Sequence, residues 1–83
     1  MYNEKMNFKN KVVVVTGGAK GIGKAISCVF SKLGAVVIIN FNRSRSEAEE
    51  LCKSLGPDSF AVHADVSKSN DVNDMISDVI KKY

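Results

Sequence analysis

The segment Thr16-Gly17-Gly18-Ala19-Lys20-Gly21-Ile22-Gly23 holds the residues whose types and spacing could do chemistry, and that chemistry is anion binding. Glycines this close together bare the backbone of a turn. Gly17 lets the chain leave a preceding strand sharply, Gly21 leaves room for a pyrophosphate, and Gly23 lets the next helix pack closely. A helix opening at Ile22 presents unpaired N–H groups and the positive end of its dipole to the same anion. Gly17, Gly18, Gly21, Ile22 and Gly23 are therefore the expected main-chain contacts. No Gly-Lys-Ser/Thr follows the glycines, which disfavours an ATP-type phosphate loop.

Such a turn carries weight only between a strand and a helix. Lys11 to Thr16 includes four consecutive valines, Val12 to Val15, as suits a strand buried on both faces of a parallel sheet. Ala35 to Phe41 reads the same way, and Ser59 to Ala64 is a shorter third strand. After the turn, Ile22, Ala25, Ile26, Val29, Phe30 and Leu33 form an amphipathic stripe ended by Gly34. A second helix is expected near Ser46, with a Ser46–Glu49 capping box and an apolar face of Ala48, Leu51, Cys52 and Leu55, stopped by Gly56-Pro57. A third follows Ser67, with Asp71 and Asp74 early, Lys81 and Lys82 late, and Val72, Met75, Ile76, Val79 and Ile80 on one side.

The order is β-α-β-α-β-α, the N-terminal part of an α/β, Rossmann-type, doubly wound parallel sheet, with residues 1–83 as one piece of a single domain. Right-handed crossovers put the first two helices on the same face. Only the third helix begins to cover the other, so the sheet is expected to be truncated there. At about 25 cal/mol per Å² of apolar surface, a few uncovered Val and Ile side chains forfeit several kcal/mol.

In a dinucleotide-binding unit the residue ending the second strand faces the adenosine ribose. An acid there hydrogen-bonds the 2′-hydroxyl of NAD and repels the 2′-phosphate of NADP. Here it is the uncharged Asn40, with Arg43 and Ser44 close behind and Lys20 in the glycine turn. Hydrogen bonds to charged groups contribute roughly 1.5–3 kcal/mol each, so two such contacts set a strong preference. NADP(H) is the expected cofactor. Arg45 reads as a surface cation. Asp65 is placed to accept from the adenine amino group with the Val66 backbone framing the ring, or else to cap the third helix.

The Thr-Gly-x-x-x-Gly-x-Gly spacing of Thr16 to Gly23 resembles that of the short-chain dehydrogenase/reductase family, as do Val13-Val14-Val15-Thr16-Gly17, Asn40-Phe41-Asn42-Arg43-Ser44 and Ala64-Asp65-Val66. The resemblance covers essentially the whole chain and is strongest to 3-oxoacyl-[acyl-carrier-protein] reductases and the similar glucose dehydrogenases. It implies an NADP-dependent oxidoreductase moving hydride between nicotinamide and a ketone or secondary alcohol, a basic residue at Lys20, an adenine role for Asp65, and a homo-oligomeric parent. It also implies a catalytic Ser and Tyr-x-x-x-Lys, in which lysine lowers the tyrosine pKa. Neither is present: Tyr2 is followed four residues on by Met6, and Tyr83 ends the sequence. No catalytic residue is assigned, and the 83 residues alone are expected to be inactive. A non-catalytic dinucleotide-binding or regulatory module is the alternative.

Composition agrees with a globular chain: 45% hydrophobic and 25% charged residues, with no apolar run of membrane-spanning length. Met1 to Lys11 lacks the apolar core of a secretory signal, so a cytoplasmic protein is expected. The net charge of +3 is dispersed and shows no aromatic–basic interleaving, which argues against nucleic acid as a partner. Cys28 and Cys52 lack metal-ligand spacing and read as packing residues, and His63 as a sheet-face residue.

Overall fold

The structure, a computed structural model, describes residues 8–82; Tyr2, Met6 and Tyr83 lie outside them. Along the chain run β1 (Val12–Val15), α1 (Gly21–Lys32), β2 (Val36–Phe41), α2 (Arg45–Leu55), β3 (Phe60–His63) and α3 (Ser69–Lys82). The three strands form one parallel sheet in the order β1-β2-β3, with Val14 opposite Ile38 and Ile38 opposite Phe60. The architecture is the Rossmann-like α/β alternation that the hydrophobic pattern implies.

Because side chains alternate across a strand, the sheet has two different faces. Val13, Val15, Val37, Ile39, Phe41 and Ala61 pack on one with Ala48, Leu51 and Cys52 of α2 and with Cys28 and Phe30 of α1. Both crossover helices thus lie on the same side. The other face carries Val12, Val14, Ile38 and Phe60; among the described residues only α3 lies over it, with Met75 buried and Lys82 over the Phe60 ring. Val12 and Val14 remain 38% exposed, so β1 is not buried on both faces. Four valines in a row made it look so; half of them have little to pack against.

Two helices differ from expectation. Most of the apolar stripe of α1 turns away from the sheet: Ile22 is 81% exposed and Ile26 and Val29 remain exposed, while Phe30 of the stripe packs on the core and Ser27 is fully buried. Small residues sit beneath α1 because it approaches the backbone of the glycine turn too closely for larger ones. Its C-terminus ends as expected at Gly34, with Gly34 N–H donating to Ser31 O and Ala35 N–H to Phe30 O, the two bonds of a Schellman motif. In α2 the capping box does not form. Ser44 is the N-cap and its carbonyl accepts from Ala48 N–H, closing the first turn two residues earlier. Glu49 pairs instead with Arg45, one turn back, at 3.7 Å.

Candidate functional site

The glycine turn and the starts of α1 and α2 lie at the C-terminal ends of the strands. Gly17 and Gly21 have φ of 62° and 56°, a left-handed conformation that disfavours other residues, and a Cβ on either would meet nothing within 4 Å. The turn is thus bare and open where a ligand backbone would run. At Gly23 the reason for glycine is different. A Cβ there would overlap the carbonyl oxygen of Gly17 and come within 2.9 Å of its carbon, so the helix lies directly on the turn. Ser27 lies under that contact, its hydroxyl bonding within the helix to Gly23 O at 2.8 Å and reaching Gly18 O of the turn at 3.5 Å.

The start of α1 leaves its N–H groups for a ligand. Lys20, the N-cap, is extended and forms no side-chain cap, and the first turn holds no acid to compensate the dipole. The donors of a pyrophosphate cradle are therefore present and uncommitted to any side-chain cap.

Asn40 is 3% exposed, and its amide joins three segments. Its Oδ1 accepts from Gly17 N–H at 3.4 Å, its Nδ2–H donates to Ala64 O at 3.1 Å, and its main-chain carbonyl accepts from Gly18 N–H at 3.3 Å. The carboxamide thus fastens the glycine turn and the end of β3 to the end of β2. Beside it lies a cleft of about 210 Å³ lined by Gly17, Ala19, Lys20, Asn40, Phe41, Asn42 and Ser44. Among the described residues, no carboxylate lines it. Ser44 reaches the cleft as the α2 N-cap, with no side-chain cap hydrogen bond engaging its hydroxyl.

The cations separate. Lys20 Nζ lies 3.2 Å from Glu47 Oε2, one turn into α2. The Glu47 carboxyl is held below its usual range, first by a main-chain N–H at the helix start and then by Lys20. Arg45 lies over the Phe41 ring at 5.0 Å and pairs with Glu49, as befits a surface cation. Arg43 is exposed and, among the described residues, forms no ion pair.

Asp65 accepts on Oδ1 from both the N–H and the hydroxyl of Ser67, at 3.0 and 2.6 Å, and its own N–H donates to Asp71 Oδ2. Ser67 is the main reason its carboxyl is held low, with smaller help from Lys68 and Arg43. Asp65 thus shapes the turn before α3 without being its N-cap, and Val66 stands 52% exposed alongside. His63 is exposed and packs edge-on against Phe41. Burial pushes the Cys52 thiol pKa up, against use as a nucleophile. Among the described residues no group of three or more His, Cys, Asp or Glu could hold a metal, and no helix is long and apolar enough to cross a membrane.

Sequence reasoning missed Glu47 and the bridging role of Asn40. Twenty-six residues separate Lys20 from Glu47, and no local spacing signals their pairing.

Residues 11–83 match the short chain dehydrogenase family. The chain belongs to that family. It is 48% identical over 81 residues to the short-chain dehydrogenase/reductase homolog YusS of Bacillus subtilis, covering 94% of this chain and 74% of that protein. It is 36% identical over 77 residues to the 3-oxoacyl-[acyl-carrier-protein] reductase FabG of Staphylococcus epidermidis, covering 89% of this chain but 32% of the reductase. Among solved structures, a 3-ketoacyl-(acyl-carrier-protein) reductase from Brucella melitensis complexed with NADH superposes with a TM-score of 0.83 at 33% identity, covering 92% of this chain and 31% of that one. This short-chain dehydrogenase chain therefore spans about a third of those two reductases.

Proposed function

We propose that this chain, as part of a single dinucleotide-binding domain, supplies the adenosine and pyrophosphate half of an NADP(H) site in a short-chain reductase. The supporting observation is the cleft beside Asn40: among the described residues it is lined by a lysine, a serine hydroxyl and a neutral amide, and by no carboxylate. An NAD-type site needs an acid for the 2′-hydroxyl; a 2′-phosphate instead suits Lys20, Ser44 and the nearby Arg43. The N–H groups of Gly21, Ile22 and Gly23 orient the pyrophosphate, with Gly17 and Gly18 forming the turn beneath. Asn40 acts by fixing the cleft wall, and Asp65 and Val66 border the adenine.

Once bound, the cofactor supplies hydride at nicotinamide C4 for a ketone, or accepts it from a secondary alcohol. The residues assigned here bind and orient only its adenosine end. A 3-oxoacyl thioester is the proposed substrate, supported by the two reductase relatives. A cytoplasmic, homo-oligomeric parent goes with this reading. A second reading, a module that binds the dinucleotide without hydride transfer, is favoured by the B. subtilis relative: this chain covers 74% of it against 32% of the S. epidermidis reductase, so that protein is much the shorter.

The test is Lys20→Ala in the complete protein. NADP(H) affinity is expected to fall about tenfold or more, the loss of one charge-assisted contact, with NAD(H) affinity nearly unchanged. Equal weakening of both would overturn the assignment.

A further inference from the structure

Lys20 stands on the wall shared by two clefts. One is the small cleft with Gly17, Asn40, Phe41, Asn42 and Ser44. The other, of about 410 Å³, lies between the start of α1 and α2 and is lined by Ala19, Lys20, Gly21, Lys24, Glu47, Glu50, Leu51 and Ser54. The ammonium is held on the second side, 3.2 Å from Glu47 Oε2. Its side chain is 64% exposed and that of Glu47 is 48% exposed, so neither is locked by packing and the lysine can exchange partners. Glu47 itself is well placed to stay ionised, in the first turn of α2 where the dipole favours negative charge.

We propose that Glu47 is a positioning residue that tunes dinucleotide discrimination by competing with the 2′-phosphate for the Lys20 ammonium. The proposal rests on the NADP(H) reading above. In the Glu47 pair the Lys20 side chain still lines the small cleft but its ammonium is engaged by a carboxylate on the other side, and a 2′-phosphate must draw the ammonium across. Glu47 thereby lowers affinity for a 2′-phosphorylated adenosine while leaving an unphosphorylated ribose unaffected. Glu50 lines the same cleft without pairing with Lys20, so its charge is a control for general electrostatics.

The experiment is calorimetric titration of the complete protein with adenosine 2′,5′-bisphosphate and with AMP, in wild type, Glu47→Gln, Glu50→Gln, Lys20→Ala and the Lys20→Ala/Glu47→Gln double variant. Glu47→Gln is expected to tighten the bisphosphate about two- to fivefold, the scale of an exposed ion pair, and to leave AMP unchanged. Glu50→Gln is expected to give no such selective gain, and the double variant no gain over Lys20→Ala, because the effect runs through the lysine. Equal tightening of both ligands, or a gain that persists without Lys20, overturns the proposal. If Lys20→Ala weakens the bisphosphate but Glu47→Gln does nothing, the tuning role alone fails. If Lys20→Ala leaves the bisphosphate unaffected, the 2′-phosphate reading fails and the proposal with it.

Discussion

Gly23→Ala is expected to destabilise the protein even though alanine is the better helix former. Gly23 lies in the first turn of α1. Helix propensity alone credits alanine with about 1 kcal/mol in a helix interior, and less near an end. Against that, the added methyl would overlap the Gly17 carbonyl oxygen and stand 2.9 Å from its carbon and 3.0 Å from Gly18 Cα. These are all main-chain atoms, so no rotamer change relieves the contact. Nor can the turn retreat easily: Gly17 is held in its left-handed conformation, and both Gly17 and Gly18 donate N–H groups to Asn40. The helix must lift instead. Overpacking of this kind costs about 1–3 kcal/mol, and contact with backbone places it at the upper end. The net loss is about 1–2 kcal/mol, or about 4–16 °C in Tm for a domain this small. Gly18→Ala is the comparator. Its methyl would meet Val15 O, Ser27 Oγ and Ile39 Cδ1 at 3.0, 3.1 and 3.2 Å, and two of those are side-chain atoms able to shift. It should cost less. Urea and thermal unfolding followed by circular dichroism measure both. Gly23→Ala at or above wild-type stability would refute the close contact between helix and turn.

Two further predictions follow from the same corner. Asn40→Leu removes the donor to the carbonyl of Ala64, a residue 1% exposed, and stranding that acceptor should cost about 1–3 kcal/mol in urea unfolding; because the glycine turn loses its anchor, NADP and NAD affinity should fall together, and an unchanged urea midpoint would count against the bridge. Asp65 has its folded-state pKa depressed, so its contribution to stability is present above the unfolded-state value and is lost as pH falls through the folded-state one. Urea midpoints measured from about pH 5 down to pH 2 should therefore fall less steeply in Asp65→Asn than in wild type, and identical slopes would contradict the Ser67 interaction.

Much of this architecture is legible because its physics is local. The runs Val12 to Val15 and Val36 to Ile39 mark strands, Gly34 marks a helix end through two main-chain bonds, and the glycine spacing marks a turn before a helix. What escaped depends on tertiary approach. The α1 stripe from Ile22 to Val29 is periodic, yet the face that packs is chosen by how closely the helix meets the Gly17–Gly18 backbone, which favours Gly23 and Ser27. Ser46–Glu49 has capping-box spacing, but Ser44 closes the turn first and Arg45 takes Glu49. Within the site, Lys20, Asn40 and Ser44 converge on one cleft. The amide bridge of Asn40 and the Lys20–Glu47 pair both join residues more than twenty positions apart, and residue type alone does not reveal such partners.

The most direct test of the central claim is the equilibrium affinity of the complete wild-type protein for NADP+ and for NAD+ under identical buffer and salt. The cleft beside Lys20 and Ser44, which no carboxylate lines among the described residues, predicts that NADP+ binds at least about tenfold more tightly, the contribution of one or more charge-assisted contacts. Equal affinities, or tighter binding of NAD+, would contradict it.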